Sequence, residues 1–395
     1  MLTNVGIILL GGLIGAKIFD KIKLAPIIGM LLVGILISPN LTGLVRGNLT
    51  SLSKDLRQIA LVVILTRAGL SLSFENLRKV GPSAILMTFL PASFEILGVI
   101  FLGTRIFGLD WKDAAILGAV LGAVSPAIVV PRMLRLIEEG YGKDKNIPEI
   151  ILAGSSIDDV YTIVMFTVFV NLKLSGEVSL GSFVNIPISI TTGLGFGLIM
   201  GYLLDIFYSK IKLTKVYQAI VLMGISLLTL GLESYLKGHL AFSGLVSIIA
   251  MAMTIKKLNP QATSNLLEIY AGLWQIFEIF LFVLVGITVD LSIIGKEFFP
   301  ALILITGGLF VRMFGVATAL IPSNLKVKEK IFAGIAYLPK ATVQAAIGPV
   351  ALAMGIGSGG LILAISVISI IYTAPLGAIL TDKTYKSLLK KDYPR

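Results

Sequence analysis

The sequence predicts an all-α polytopic membrane protein: about 13 transmembrane helices, arranged as inverted repeats with two broken, crossing helices. Three observations predict this. Hydrophobic residues make up 56% of the 395 and charged residues only 14%, where soluble domains carry about 25% charge. Apolar stretches of bilayer-crossing length recur along the whole chain. Two of those stretches, matched in position, are interrupted by proline.

In chain order the candidate spans are 2–18, 25–38, 56–72, 80–104, 112–131, 147–171, 182–206, 215–233, 239–255, 266–289, 297–321, 328–354 and 357–381. The second is short for a crossing and fits a tilted or partly interfacial helix. The first follows Met1-Leu2-Thr3-Asn4 without a basic leader, so a membrane helix is expected there and not a cleavable signal. After Asp382 only a basic tail is left, 383–395. Cysteine is absent and His239 is the single histidine. Disulfide, thiol and multi-histidine metal chemistry are thereby excluded, and no cofactor is expected. The net charge of +11 forms no dense basic patch with interleaved aromatics, so no nucleic-acid partner is expected.

The basic residues sit in loops, and they are unevenly shared. With residues at span ends counted in their loops, those after odd-numbered spans carry 22 Lys+Arg and those after even-numbered spans carry 8. The positive-inside rule then predicts an outside N-terminus and a cytoplasmic C-terminus. Only Arg67, Arg312 and Lys340 fall inside spans.

The chain also resembles an inverted copy of itself. Arg67-Ala68-Gly69-Leu70-Ser71-Leu72 aligns with Val285-Gly286-Ile287-Thr288-Val289-Asp290, and Trp111-Lys112-Asp113 with Val327-Lys328-Glu329. The shift of about 216–218 residues spans seven helices, an odd number, so the halves insert with opposite orientation. Spans one to six and eight to thirteen form the repeats, and span seven links them.

Span five contains Ser125-Pro126 and Pro131, and span twelve contains Pro339-Lys340-Ala341-Thr342-Val343-Gln344 with Pro349. An internal proline removes a helix hydrogen bond and displaces the preceding turn. Such breaks survive at membrane depth only where protein or a wet cavity supplies partners. Both fall in the fifth span of their repeat, the position expected of a transporter site. Ser125, Pro126, Pro339, Lys340, Thr342 and Gln344 are therefore candidates; an ordinary proline kink is the alternative.

The charges inside spans are the other signal. Asp158 and Asp159 lie in what reads as the middle of an apolar helix, where a charge costs roughly 2.5–3.5 kcal/mol on insertion scales. They point about 100° apart on a helix, so one faces a cavity and the other leans toward the broken helices. Adjacent carboxylates resist joint ionisation and titrate as a coupled pair. A carboxylate that holds either a proton or a bare cation is the core of an antiport mechanism. Glu95 and Arg312 differ by 217 positions, the repeat shift, and so occupy equivalent places and are expected to pair. The pair is either a static brace or a switch on the cation site. Arg67 reads as a span-end side chain reaching an interface. Glu278, in mid-span, has no nameable partner and suggests a structural or dimer-interface role. Gly11-Gly12-Leu13-Ile14-Gly15 follows no strand, so close helix packing explains it better than a phosphate loop.

These residues carry a resemblance that covers nearly the whole chain. The sequence resembles the monovalent cation:proton antiporters of the cation:proton antiporter superfamily, in the NHA-type sodium/proton exchanger branch. Gly118 to Pro131, the Asp158-Asp159 pair and Leu338-Pro339-Lys340-Ala341-Thr342-Val343-Gln344-Ala345-Ala346 carry it, with Glu95, Arg312 and the Lys326–Lys330 loop in support. The resemblance implies the sodium/proton antiporter fold and transport by an elevator motion. It implies a core built from 80–171 and 294–382, a homodimerising domain built from 1–79 and 211–293, and a linker helix at 172–210. Asp159 is then the principal carrier of Na⁺ or Li⁺ and of H⁺, with Asp158 beside it. Arg312 stands where many electrogenic members have lysine; it cannot release a proton, which leans toward electroneutral exchange. The implied place is the plasma (inner) membrane. A K⁺/H⁺ antiporter and a Na⁺-coupled symporter of related fold are the alternatives. An intramembrane aspartyl protease would need aspartates on separate helices and a Gly-x-Gly-Asp motif, and neither is present. A titratable pair suits exchange better than channel throughput.

Overall fold

The protein is seen in a computed structural model that describes residues 2–22, 24–39, 41–45, 50–71, 81–155, 157–174, 180–236 and 240–391, with side chains at 50–54, 57 and 180–187 outside the description. His239 lies outside the described residues. The described chain is helical throughout, with no strand among its named elements. Nine of its helical stretches are long and apolar enough to cross a membrane, and Pro26–Ile37, Gln58–Ser71 and Thr342–Ala353 are shorter apolar helices.

In order the helices are α1 Leu2–Lys21, α2 Pro26–Ile37, α3 Thr50–Ser71, α4 Pro82–Met87, α5 Leu90–Ile106, α6 Trp111–Gly122, α7 Pro126–Glu139, α8 Ile147–Ser155, α9 Asp158–Leu174, α10 Leu180–Lys210, α11 Lys215–Leu236, α12 Gly244–Leu258, α13 Pro260–Thr288, α14 Leu291–Ala319, α15 Val327–Ala336, α16 Thr342–Ala353 and α17 Gly359–Leu388. Every expected span is a helix or a pair of helices. The expected breaks are present: span five divides into α6 and α7, and span twelve into α15 and α16. Pro126 opens α7, where its missing N–H is no loss.

Two breaks were not expected. Span six is not one continuous helix. It stops at Ser155, turns at Ile157 and restarts at Asp158, so the aspartates form the first turn of α9 instead of its middle. Gly154 and Ser155 are poor helix formers, and carboxylates favour a helix N-terminus, where free N–H groups and the dipole attract them. Span four also divides, at Thr88 and Phe89, because Pro91 near the start of α5 cannot donate back into α4. In span thirteen, α17 runs on through Leu388, so the basic tail begins as helix.

The chain forms two compact units, Met1–Gly47 with Ser73–Val170 and Phe282–Arg395, and Asn48–Leu72 with Asn171–Leu281. In the first, α5 lies against α14 at glycine contacts. A side chain added at Gly98 would meet Val311 at 3.0 Å, and one at Gly315 would meet the Pro91 backbone at 2.8 Å. Such small residues let membrane helices approach closely. The broken pass Trp111–Glu139 is the most enclosed, with 78% of its apolar window buried against 22% for Leu2–Lys21; irregular backbone at membrane depth requires that enclosure. At one end of this unit, Asp382 accepts from Arg135 at 2.8 Å and from Arg132 at 3.3 Å, and Gly142 N–H donates to Lys390 O at 2.8 Å. These contacts tie α7 to the end of α17. In the second unit, α10 packs on α12 through Gly197 and Gly201, while Leu198, Ile199, Tyr202 and Leu203 on the same helix are exposed.

Candidate ion-binding site

A helix leaves its last four carbonyls without intrahelical partners. For α6 these point into the protein, and side chains from distant sequence meet them. Gln344 Nε2 donates to Val120 O at 3.1 Å and to Ala123 O at 3.0 Å. Lys340 Nζ donates to Leu121 O, and Arg312 NH1 to Gly122 O. The two cations also suit the negative end of the helix dipole. The breaks join directly, with Ser125 N–H donating to Pro339 O at 2.8 Å. Lys340 N–H donates to Thr373 Oγ1 at 3.0 Å.

The same cations hold the carboxylates. Arg312 NH1 reaches Glu95 Oε2 at 2.7 Å, the pair expected from the repeat shift. Arg312 NH2 reaches Asp158 Oδ2 at 3.0 Å. Lys340 Nζ lies 2.7 Å from Glu95 Oε1. Asp158 Oδ2 also accepts from Val124 N–H at 3.1 Å, within the first break. Asp158 is therefore the aspartate that leans on the broken helices. Among the described residues Asp159, next in sequence, has no ion pair and no side-chain hydrogen bond, and its Oδ1 is buried without a partner. Thr162 Oγ1 donates to the carbonyls of both aspartates at 3.0 Å and stiffens the turn that carries them.

Glu95, Arg312, Lys340 and Asp158 are each 0% exposed and Asp159 is 8% exposed. The cluster thus holds three carboxylates against two cationic side chains, one negative charge in excess when all are ionised. The Ser125 and Thr342 hydroxyls, Gln344 Oε1 and the Oδ1 atoms of both aspartates are buried without hydrogen-bond partners. Oxygen donors of this kind suit a hard cation.

All ten site residues singled out in the sequence fall on this part of the fold. What sequence reasoning missed is the pairing of Lys340 with Glu95, the amide of Val124, the Thr162 bonds and the fully buried Tyr337, whose ring lies 5.4 Å from the Arg312 guanidinium carbon. A signal for the first was available: Glu95 was expected to pair with Arg312, and Lys340 was an intramembrane cation with no carboxylate assigned to it. Arg67 and Glu278 belong to the other unit and not to this cluster.

Buried opposite charges gathered where broken helices cross define a secondary active transporter of cations. The chain belongs to the sodium/hydrogen exchanger family of cation:proton antiporters, whose transmembrane model matches residues 5–382. It is 32% identical over 399 residues to mouse "Sodium/hydrogen exchanger 9B2", covering 96% of this chain and 72% of the relative. It is 31% identical over 407 residues to human "Sodium/hydrogen exchanger 9B1", covering 98% and 78%. Its fold matches the sodium proton antiporter MjNhaP1 from Methanocaldococcus jannaschii at pH 8, with a TM-score of 0.81 at 20% identity over 98% of this chain and 97% of that one.

Proposed function

We propose that the protein exchanges Na⁺ or Li⁺ for H⁺ one for one, with Asp159 as the group that carries either. The observation that supports this reading is the charge balance of the buried cluster. Glu95 and Asp158 are offset by Lys340 and Arg312 through short ion pairs, and Asp159 is left over. Burying an unpaired charge is costly, so the cluster is stable with one monovalent cation or with one proton and unstable with neither. Cation and proton therefore compete for one place, and each crossing carries one positive charge. Electroneutral exchange follows. Arg312 cannot act as a second carrier because it does not deprotonate at usable pH.

Alternating access is proposed to proceed as an elevator. The core of 80–171 and 294–382 moves as a body against a homodimerising domain of 1–79 and 211–293, with 172–210 as the linker. The capped carbonyls of α6 support a rigid core, since each donor would have to find a new partner if the breaks moved independently. The halves are proposed to be inverted repeats. The protein is proposed to lie in the plasma (inner) membrane, and the distribution of basic residues supports an N-terminus outside and a C-terminus in the cytoplasm.

The test uses purified protein in liposomes with an imposed pH gradient. Na⁺, Li⁺ and K⁺ are added in turn and proton efflux is followed. Efflux with Na⁺ and Li⁺ that is absent in Asp159→Asn is expected. Efflux with K⁺ alone would move the reading to K⁺/H⁺ exchange, and undiminished efflux in the variant would remove Asp159 from its role.

A further inference from the structure

Arg312 is the pivot of the cluster, and one neighbouring side chain has no part in the exchange as described. Tyr337 is the residue at which α15 ends, its N–H donating to Ala333 O and Gly334 O at 3.1 Å. Its side chain is completely buried. The hydroxyl has no strong partner, since Ile151 O is 3.5 Å away, at the limit of a hydrogen bond. The hydroxyl instead abuts Gly154, close to the end of α8 and three residues before Ile157, where the turn into the aspartates begins. Any side chain at Gly154 would overlap it. Gly154 thus forms a slot that fixes the phenol. So held, the ring lies 5.4 Å from the carbon of a guanidinium that is itself 0% exposed. A desolvated cation at that distance from an aromatic ring is attracted to it.

We propose that Tyr337 is a positioning residue for exchange: its ring, seated where Gly154 leaves room for it, keeps the Arg312 guanidinium on Glu95 and Asp158 and away from Asp159. The proposal rests on Asp159 being the carrier. Asp159 is adjacent to Asp158, so a guanidinium released from the ring has a second carboxylate one residue away. There it competes with the incoming cation. The ring's role is then to make the affinity of Asp159 for a small cation independent of Arg312. The hydroxyl contributes only shape.

The test compares Tyr337→Phe, Tyr337→Met and Gly154→Ala in proteoliposomes, each checked for its melting temperature and its gel-filtration profile. Tyr337→Phe keeps the ring and is expected to keep the unmodified KM for Na⁺. Tyr337→Met roughly conserves volume but has no aromatic face, and Gly154→Ala keeps the ring but drives it from its slot. Both are expected to raise KM for Na⁺ roughly threefold to tenfold with kcat within about twofold. A folded Tyr337→Met with unchanged KM would overturn the proposal. So would a Tyr337→Phe variant shifted as far as Tyr337→Met, since the hydroxyl would then carry the effect. Failure of both Tyr337→Met and Gly154→Ala to fold while Tyr337→Phe folds would assign the ring a structural role and also overturn it. An unmodified chain that moves no protons with any cation would instead overturn the exchange reading itself.

Discussion

Glu95 takes two cations at once, and both cations also cap carbonyls of α6. Removing its charge leaves Arg312 with Asp158 alone and Lys340 with no carboxylate. Breaking a buried pair from one side typically costs about 3–5 kcal/mol. Glu95→Gln is therefore expected to lower the melting temperature sharply, and adding Lys340→Met to restore part of the loss. Equal losses in the single and double variants would contradict the shared bridge. Gln344 is a neutral counterpart. Its amide nitrogen serves two buried carbonyls, so Gln344→Ala is expected to destabilise by about 1–3 kcal/mol per orphaned group, read by thermal unfolding in detergent. Asp290 lies between the apolar stretches of α13 and α14 and is open to solvent. The N–H and hydroxyl of Ser292 donate to it at 2.8 and 2.7 Å and hold its carboxyl below the usual aspartate range. Its contribution is complete above the unfolded value and fades as pH falls through the depressed one. Asp290→Ala should therefore melt below the unmodified chain at neutral pH, with the gap narrowing on acidification; a constant gap would mean that the charge plays no part.

At the scale of elements, legibility followed the chemistry of the break. The interruptions of spans five and twelve could be read because proline forces them whatever surrounds it. The interruption before Asp158 could not, because Gly154 and Ser155 permit a stop without compelling one. There the outcome is set by partners from elsewhere, namely Val124 N–H and Arg312 on Asp158 and Tyr337 against Gly154. The repeat shift pairs Glu95 with Arg312 but has no means of adding Lys340, which comes from the break between α15 and α16. Close approach was equally hidden. Gly315 is one glycine among 41, and only the fold shows that it faces Pro91. A β-branched side chain there would push α14 off α5 and stretch the Glu95–Arg312 pair. Gly315→Val is thus expected to lower both melting temperature and exchange rate, while the same change at Gly224, where an added Cβ meets nothing within 4 Å, leaves both nearly unchanged.

For the whole molecule, the count of basic residues makes an orientation claim that can be read cleanly because the chain has no cysteine. Lys383 is exposed on the end of α17, and the Lys296 side chain is 84% exposed on the other proposed side. In intact cells an impermeant thiol reagent should label Lys296→Cys and spare Lys383→Cys until the membrane is opened. The reverse pattern would invert the topology. The central claim is that one carboxylate remains after the buried charges are paired, so that each exchange moves no net charge. The most direct measurement is Na⁺-driven proton efflux from proteoliposomes whose membrane potential is set by a K⁺ gradient and ionophore. The account predicts a rate unaffected by the sign of the potential and abolished in Asp159→Asn. A rate that rises or falls when the potential is reversed would show that net charge crosses with each cycle and would contradict it.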